Sequence, residues 1–276
     1  MIPFTKAHAC GNDFLIVTKE AVHKSEWAGN WPGLARRLCS RLTGVGADGM
    51  EFVEWTGHRS GRIRLHNADG SIAEISGNGT RCVAAWMACE HRLQAGEKLK
   101  IATDAGERFC RLNKVRTRGG FSVDVTAAMG VPKFAPHTVR LKSGVEVAGV
   151  EVWTGNPHFV IVVDIGEFED HDKSWQEIGA EICAHQDFPH QTNVEFVRIV
   201  NKNAIEIRIF ERGVGPTTSS GTGSSAAATA ALALNGCASP LDVAAPGGKQ
   251  IVTWAGPATE LRLTGPAVLI ARGEAW

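Results

Sequence analysis

Ser76-Gly77-Asn78-Gly79 and Ser220-Gly221-Thr222-Gly223 are two short segments that each present one hydroxyl and then lead into a helix-like, alanine-rich run. They are 144 positions apart (220 − 76 = 144), and Gly11-Asn12 and Gly155-Asn156 share this offset. Two matches at one spacing predict a duplicated unit with a loop-to-helix junction in each half. We expect the halves to face each other, so that both serines and both helix N-termini meet at one cleft.

Composition narrows the class of ligand. The chain has 276 residues, of which 43% are hydrophobic and 21% charged, as in an ordinary globular protein. Lys plus Arg and Asp plus Glu both number 29, so the basic surplus of a nucleic-acid binder is absent. We therefore expect a small-molecule ligand and no nucleic-acid partner. No apolar run of membrane-spanning length and no leader at Met1–Lys6 is apparent, so we also expect no membrane partner.

The cysteines indicate the compartment. They are odd in number, scattered, and contain no C-x-x-C pair, which is typical of reduced thiols in a cytoplasm and argues against a disulfide framework or a zinc site. We therefore expect a cytoplasmic protein without a bound metal. The seven cysteines are Cys10, Cys39, Cys82, Cys89, Cys110, Cys183 and Cys237.

Many short strands and a few helices predict an α+β fold, in which each half is a curved mixed sheet wrapped around a central helix. Strands such as Phe159–Asp164 are short apolar runs. We predict an N-terminal half of residues 1–129, to which a final strand 266–276 returns, and a C-terminal half of residues 130–265. Helices are predicted at Leu34–Leu42, Asn78–Leu93, Ile178–Ala184 and Ser224–Leu234.

The two junctions suit an anion. A helix N-terminus carries unpaired N–H groups and a partial positive charge, and glycine lets ligand oxygens approach the backbone. Two such ends could clamp a carboxylate or phosphate and stabilise negative charge that develops during a reaction. The plainer alternative is that Ser76 and Ser220 are only helix caps. A flexible linker is a further alternative at Ser220, although a helix follows directly.

Longer motifs resemble one family. The run from Asn67-Ala68-Asp69-Gly70-Ser71 through Gly77-Asn78-Gly79-Thr80-Arg81-Cys82 resembles diaminopimelate epimerase. Further matches follow in the family's order along nearly the whole chain. They are His8-Ala9-Cys10-Gly11-Asn12-Asp13-Phe14, Gly155-Asn156-Pro157-His158, Glu211-Arg212-Gly213-Val214-Gly215, Pro246-Gly247-Gly248 and Leu263-Thr264-Gly265-Pro266-Ala267.

This resemblance implies two similar domains and a cofactor-independent site that inverts an amino acid α-carbon. In the family one thiolate removes the proton and a second thiol delivers another to the opposite face. Those thiols stand immediately before the two Gly-x-Gly turns, where this chain has Ser76 and Ser220. A serine hydroxyl is far less acidic than a thiol and needs an adjacent base. Gly49 stands where the family commonly has glutamine.

The resemblance also implies roles for further residues. His158 and Glu211 occupy the places of groups that assist the proton transfers, with Ser76 and Ser220 as the acid/base pair. The backbone at Gly77, Asn78, Gly221 and Thr222 would hold the reacting carboxylate. The distal end of the substrate would be bound by Asn12, Asn67, Asn156, Asn193 and Arg212, and Glu211 would also contact the substrate. Taken singly, His158 could be structural, and Glu211 with Arg212 could be a surface ion pair.

Two main hypotheses of function follow. The first is a PLP-independent isomerase of lysine and cell-wall precursor biosynthesis that converts LL-2,6-diaminopimelate to the meso form. The second is a non-catalytic or substrate-trapping homologue that binds a diamino dicarboxylate without turnover. A related isomerase or dehydratase that uses hydroxyl residues is a third possibility. The resemblance further suggests a homodimer.

Overall fold

The computed structural model of the chain describes residues 1–163, 168 and 173–276. Contacts divide the chain into two compact units, one of Met1–Ala128 with Thr264–Trp276 and the other of Met129–Leu263. Within these described ranges, no helix is both long and apolar enough to span a membrane. The predicted strand Phe159–Asp164 ends on a residue that lies outside the described part.

The first unit is a mixed sheet with three helices. Its elements are β1 (Ile2–Ala9), β2 (Asn12–Thr18), α1 (Lys19–His23), α2 (Trp31–Cys39), β3 (Gly49–Gly57), β4 (Ser60–Asn67), β5 (Ile72–Ala73), α3 (Gly77–Glu90), β6 (Lys98–Thr103), β7 (Gly106–Arg116), β8 (Phe121–Gly130) and β17 (Leu261–Ala275), of which β8 and β17 run across the unit boundary. Strands β1 and β2 are antiparallel, β2 and β3 parallel, and β3 and β4 antiparallel. The order continues through β6, β7 and β8, and β17 pairs with both β8 and β1.

Helix α3 is the central helix of this unit. Nearly all of its side chains are buried, and it contacts β1, β2, β3, β6 and β7. On the opposite face of the sheet, α2 packs Leu34 and Leu38 onto Met50 and Phe52 of β3. Because β3 has a helix on each face, residues 49–53 are all buried. An acidic residue in that run, Glu51, is therefore forced into the interior.

The second unit repeats this plan. Its elements are β9 (Lys133–Arg140), β10 (Glu146–Trp153), β11 (Pro157–Val162), α4 (Trp175–Cys183), β12 (Asn193–Asn201), β13 (Ala204–Glu211), β14 (Gly215–Thr217), α5 (Gly221–Leu234), β15 (Leu241–Ala245) and β16 (Gly248–Thr253). Strands β11 and β12 are parallel, as β2 and β3 are, and β12 and β13 are antiparallel. Helix α5 contacts strands β10 to β13, β15 and β16, and its alanines allow a close approach to them.

The duplication predicted from the two serine segments is confirmed. Helices α2 and α4 begin and end at residues separated by the same offset as the serines, and so do α3 and α5. The predicted α+β fold of two similar units, each with a mixed sheet around a central helix, is also confirmed.

Several predicted helix ends were wrong by a few residues. Helix α5 begins at Gly221 rather than Ser224, because the Ser220 side chain caps it three residues earlier. Helix α3 ends at Glu90, and Arg92 takes a positive φ of 53° where the helix had been expected to continue. Helix α2 ends at Cys39, which leaves Leu42 exposed.

Candidate active site

In the first unit, Ser76 begins α3. Its backbone is extended, with φ −124° and ψ 122°, and its Oγ accepts a hydrogen bond of 3.0 Å from the N–H of Gly79. This is the geometry of an N-cap, so the capping role is confirmed in the structure. The hydroxyl keeps its own proton for donation. Because the helix N-terminus bears a partial positive charge, negative charge on Oγ is less costly there than elsewhere on the surface.

A chain of side-chain hydrogen bonds joins Asn12 to this helix. Asn78 Nδ2 donates to Asn12 Oδ1 at 3.1 Å, and Asn12 Nδ2 donates to Asp48 Oδ2 at 2.7 Å. At the other end, the buried Arg81 donates to Asn78 Oδ1 at 2.6 Å and to the Gly77 carbonyl at 3.3 Å. The expected substrate groups Asn12 and Asn78 thus lie together, and both amides are held in fixed orientations.

An ionic cluster supports Asn12 from behind. Arg41 bonds both Asp13 and Asp48, at 2.9 and 2.6 Å, and Lys6 lies 3.1 Å from Asp13. Burial alone would raise the pKa of Asp13, but hydrogen bonds from Arg41 and Lys6 bring that pKa below its usual value. The Asp13 carboxylate is therefore charged at neutral pH and accepts from the backbone N–H of Asp48, while Asp48 accepts from Asn12 and from the backbone N–H of Asp13.

Asn67 lies apart from that chain of amides. It ends β4 opposite Gly49 of β3, and its Nδ2 donates to Ser71 Oγ at 3.0 Å. Strand β3 therefore separates it from Asn12. At Gly49 itself, an added Cβ would lie 3.0 Å from the His66 carbonyl, so a side chain there would need its neighbours to shift.

In the second unit, Ser220 begins α5 in the same way. Its Oγ accepts from the N–H of Gly223 at 3.2 Å and lies 3.4 Å from Thr222 Oγ1. Ser220, Gly221 and Thr222 are all buried. The two predicted junctions therefore have one local structure.

His158 stands between two acceptors in the second unit. Its Nε2 lies 2.8 Å from Asn156 Oδ1, and its Nδ1 lies 2.8 Å from Glu195 Oε1. The side chains of His158 and Glu195 are fully buried. The imidazole can donate to the amide and share a proton with the carboxyl, so it is held in one orientation.

Asn193 organises the turn that carries Arg212. Its Oδ1 accepts from the Arg212 N–H at 3.0 Å, and its Nδ2 donates to the Pro157 carbonyl at 2.9 Å. The Arg212 guanidinium donates to the His190 carbonyl at 3.2 Å. Glu211 ends β13 and pairs with Gly215 of β14. Asn193 is thus engaged by backbone groups, which gives it a positioning role in this structure.

Sequence reasoning missed two acidic residues, Glu51 and Glu195. They are related by the offset of the serines, and each opens an identical Glu-Phe-Val triplet in a central strand. Both are fully buried. Each lies against the glycine whose N–H donates to the capping serine, Gly79 in the first unit and Gly223 in the second. The repeated triplet was the signal that could have revealed them.

Three buried cysteines are not suited to replace the family's thiolates. Burial raises the pKa of Cys39 and Cys110 to about 12, and it raises the pKa of Cys82 as well. These thiols are therefore protonated near neutral pH and are poor bases. Across the described residues, no group of three or more His, Cys, Asp or Glu side chains is arranged to hold a metal ion.

Each unit thus presents a capping hydroxyl, a helix N-terminus for an anion and a buried carboxyl behind them. Comparison with known proteins gives this arrangement a context. The family model described as diaminopimelate epimerase matches residues 4–135 and 150–270. A diaminopimelate epimerase of Pseudomonas savastanoi pv. phaseolicola is 35% identical over 288 residues and covers 99% of each chain.

Solved structures with this fold are more distant in sequence. A probable proline racemase from Agrobacterium radiobacter, with bound carbonate, has a TM-score of 0.75 at 14% identity and covers 100% of this chain and 93% of the other. A hydroxyproline epimerase from Agrobacterium vitis has a TM-score of 0.72 at 15% identity, covering 99% of this chain and 90% of the other. At such identities the likeness concerns the fold.

Proposed function

Because this chain belongs to the diaminopimelate epimerase family, we propose that it inverts the α-carbon of LL-2,6-diaminopimelate to the meso form without a cofactor. Membership of the family directly supports the epimerisation of an amino acid. The proposal adds the substrate and the two-base mechanism. That the chain forms a homodimer stays a prediction.

One observation carries the proposal: the chain has two equivalent junctions at which a serine hydroxyl caps a helix beside glycine. Inversion removes a proton from one face of carbon and adds one to the other, so it needs an acid/base group for each face. Ser76 and Ser220 are the proposed pair. The backbone N–H groups at Gly77, Asn78, Gly221 and Thr222 would bind the α-carboxylate and stabilise the carbanion through it.

The distal carboxylate and amine need polar groups away from the reacting carbon. Asn12 and Asn156 are held by hydrogen bonds in equivalent places of the two units, and Arg212 can pair with a carboxylate bidentately. Asn67 completes the proposed set, Asn193 positions the turn that carries Arg212, and Glu211 would assist the proton transfers. A ligand with a second amino acid end would use these groups, whereas a simple monocarboxylate would leave them unsatisfied.

The first experiment follows deuterium uptake. Purified protein is incubated with LL-diaminopimelate in D₂O, and label at the α-carbon and conversion to the meso isomer are followed by NMR. We expect both, and we expect Ser76→Ala and Ser220→Ala each to reduce conversion by roughly 10²–10⁴-fold, the usual range for loss of an acid/base group. No label above background after long incubation would refute the proposal.

A substrate-binding protein without turnover is the second candidate. It is favoured by the observation that both serines already accept hydrogen bonds as helix caps. Calorimetric binding of diaminopimelate without exchange would support it. In that case the double variant Ser76→Cys, Ser220→Cys should acquire exchange, because a thiol with a reference pKa near 8.5 is a far better base at neutral pH.

A further inference from the structure

Glu51 is a fully buried residue of strand β3 whose carboxyl lies beside the first turn of α3. It belongs to β3, where Ile16 of β2 and Leu65 of β4 pair beside it, and its side chain points toward the central helix. A Cβ added to Gly79 would overlap Oε1 of Glu51 and lie 3.2 Å from Cβ of Ser76. The carboxyl and the serine therefore border the same glycine, and only glycine leaves room for both.

The carboxyl of Glu51 has no hydrogen-bond partner among the residues that the structure describes, and both of its oxygens are buried. Leaving a buried carboxyl unpaired is costly, so it is a poor device for stability. Its counterpart Glu195 is arranged differently, because Oε1 meets the Nδ1 of His158 at 2.8 Å. At the position of that histidine the first unit has Phe14, which cannot hydrogen-bond.

Burial, assisted by the negative charge of Asp104, raises the pKa of Glu51 to about 8. In the described part of the chain, no ion pair joins the other titratable groups of α3 to this carboxyl. Cys82 is a neutral thiol at this pH, and the guanidinium of Arg81 is directed to Asn78 and Gly77. Near neutral pH the carboxyl can therefore either give or take a proton, which is the condition for acid/base work.

We propose that Glu51 is the proton-transfer partner of Ser76, a positioning residue that acts on substrate only through the serine hydroxyl. The inference rests on the proposed function and adds to it the base that a serine requires. When Ser76 delivers a proton, its Oγ–H bond breaks as the C–H bond forms, and the Glu51 O–H bond breaks as Oγ regains a proton. The two groups are not hydrogen-bonded in the structure, so this transfer requires a side-chain rotation or one bridging water to join them. In the reverse direction Oγ takes the α-hydrogen and passes its own proton to the Glu51 carboxylate.

The test compares the wild type with Glu51→Gln, which keeps the shape but cannot ionise, and with Glu51→Asp as the conservative variant. Glu54→Gln, an exposed residue of the same strand paired with Lys19, is the matched control. We expect log(kcat/KM) for epimerisation to change slope near pH 8 in the wild type and in Glu54→Gln. In Glu51→Gln this change should vanish and the rate fall roughly 10²–10⁴-fold, with partial recovery in Glu51→Asp.

A second measurement does not depend on turnover. In protein labelled with ¹³C at glutamate carboxyls, one resonance should titrate near pH 8, disappear in Glu51→Gln and shift its midpoint in Ser76→Ala. The comparison of this midpoint between the wild type and Ser76→Ala tests whether Glu51 and Ser76 are coupled, even if Glu51→Gln fails to fold.

The outcomes separate the two proposals. Exchange at wild-type rate and with the wild-type pH profile in a folded Glu51→Gln would overturn the role of Glu51 while the epimerase proposal stands. A carboxyl that titrates near pH 4–5, or that ignores Ser76→Ala, would overturn it as well. No exchange in any variant, with a resonance near pH 8 that responds to Ser76→Ala, would refute the substrate and retain the coupling of Glu51 to Ser76.

Discussion

The two units share one arrangement of strand, helix and capping serine, but they differ in the side chains around the buried glutamate. In each, a serine caps the central helix and a glutamate from the central strand lies behind the third residue of that helix. In the second unit the glutamate is paired with His158, which in turn holds Asn156. At the equivalent positions the first unit has Phe14 and Gly49 where the second has His158 and Asn193.

The difference shows that duplication fixed the backbone positions while the proton chemistry diverged. The second unit keeps a fully buried His–Glu pair, which can hold a proton between its members. The first keeps a single carboxyl whose pKa is raised to about 8 because burial disfavours its charge. A reaction that takes a proton on one face and gives one on the other needs one group in its basic form and the other in its acid form at the same moment, and the two units surround their serines with different proton acceptors.

The largest expected effect comes from making the second unit like the first. His158→Phe removes the partner of both Glu195 and Asn156, and the first unit shows that phenylalanine fits the equivalent place. Leaving a buried polar group without its hydrogen-bond partner costs about 1–3 kcal/mol, and this variant leaves two such groups, so the free energy of unfolding should fall by about 2–6 kcal/mol in urea titrations.

The control for that prediction is the double variant His158→Phe, Glu195→Leu. It removes the buried carboxyl that would otherwise be left unpaired, and we expect it to recover part of the lost stability. A single-variant cost below about 1 kcal/mol would mean that the His158–Glu195 pair does not distinguish the units energetically.

A smaller effect is expected at the glycine that separates each serine from its glutamate. Gly79→Ala would overlap Glu51 Oε1, whereas the Cβ in Gly223→Ala would lie 2.7 Å from Glu195 Oε1. Overpacking costs about 1–3 kcal/mol, and we expect Gly79→Ala to lie at the upper end.

Measuring the cost of Gly79→Ala in a Glu51→Ala protein makes this test specific for the contact between position 79 and the Glu51 carboxyl. Without the carboxyl, the cost of alanine at position 79 should fall well below its cost in the wild type, because the overlap with Glu51 is gone and alanine is the better helix residue by about 1 kcal/mol, although its Cβ still lies 3.2 Å from Cβ of Ser76. Equal costs of Gly79→Ala in both backgrounds would show that Glu51 does not border the glycine.

The sequence predicted the duplication and the two junctions at which a serine begins a central helix, because these depend on local spacing and on glycine and serine at turns. Helix lengths were less certain, as at Leu42 and Ser224, since caps and exposure decide them. Sequence reasoning did not identify Glu51 as a site residue, because a glutamate in a strand usually faces solvent. Its burial depends on α2 and α3 covering both faces of β3, which local sequence does not encode.

Measured per pH unit, the smallest expected effect is the slope of stability against pH. The pKa of Glu51 is about 8 in the folded protein and its usual value is 4.5, so between these values the folded state binds the extra proton. The free energy of unfolding should therefore fall by about 1.4 kcal/mol per pH unit as pH rises through this window. The contribution is fully present below about pH 4.5 and lost above pH 8, opposite to the usual carboxylate.

Urea titrations from pH 5 to 8 should show this slope in the wild type and in Glu54→Gln, and a flatter profile in Glu51→Gln. Parallel profiles for all three proteins would mean that Glu51 is ionised in the folded state, and that the contrast between the units does not lie in this carboxyl.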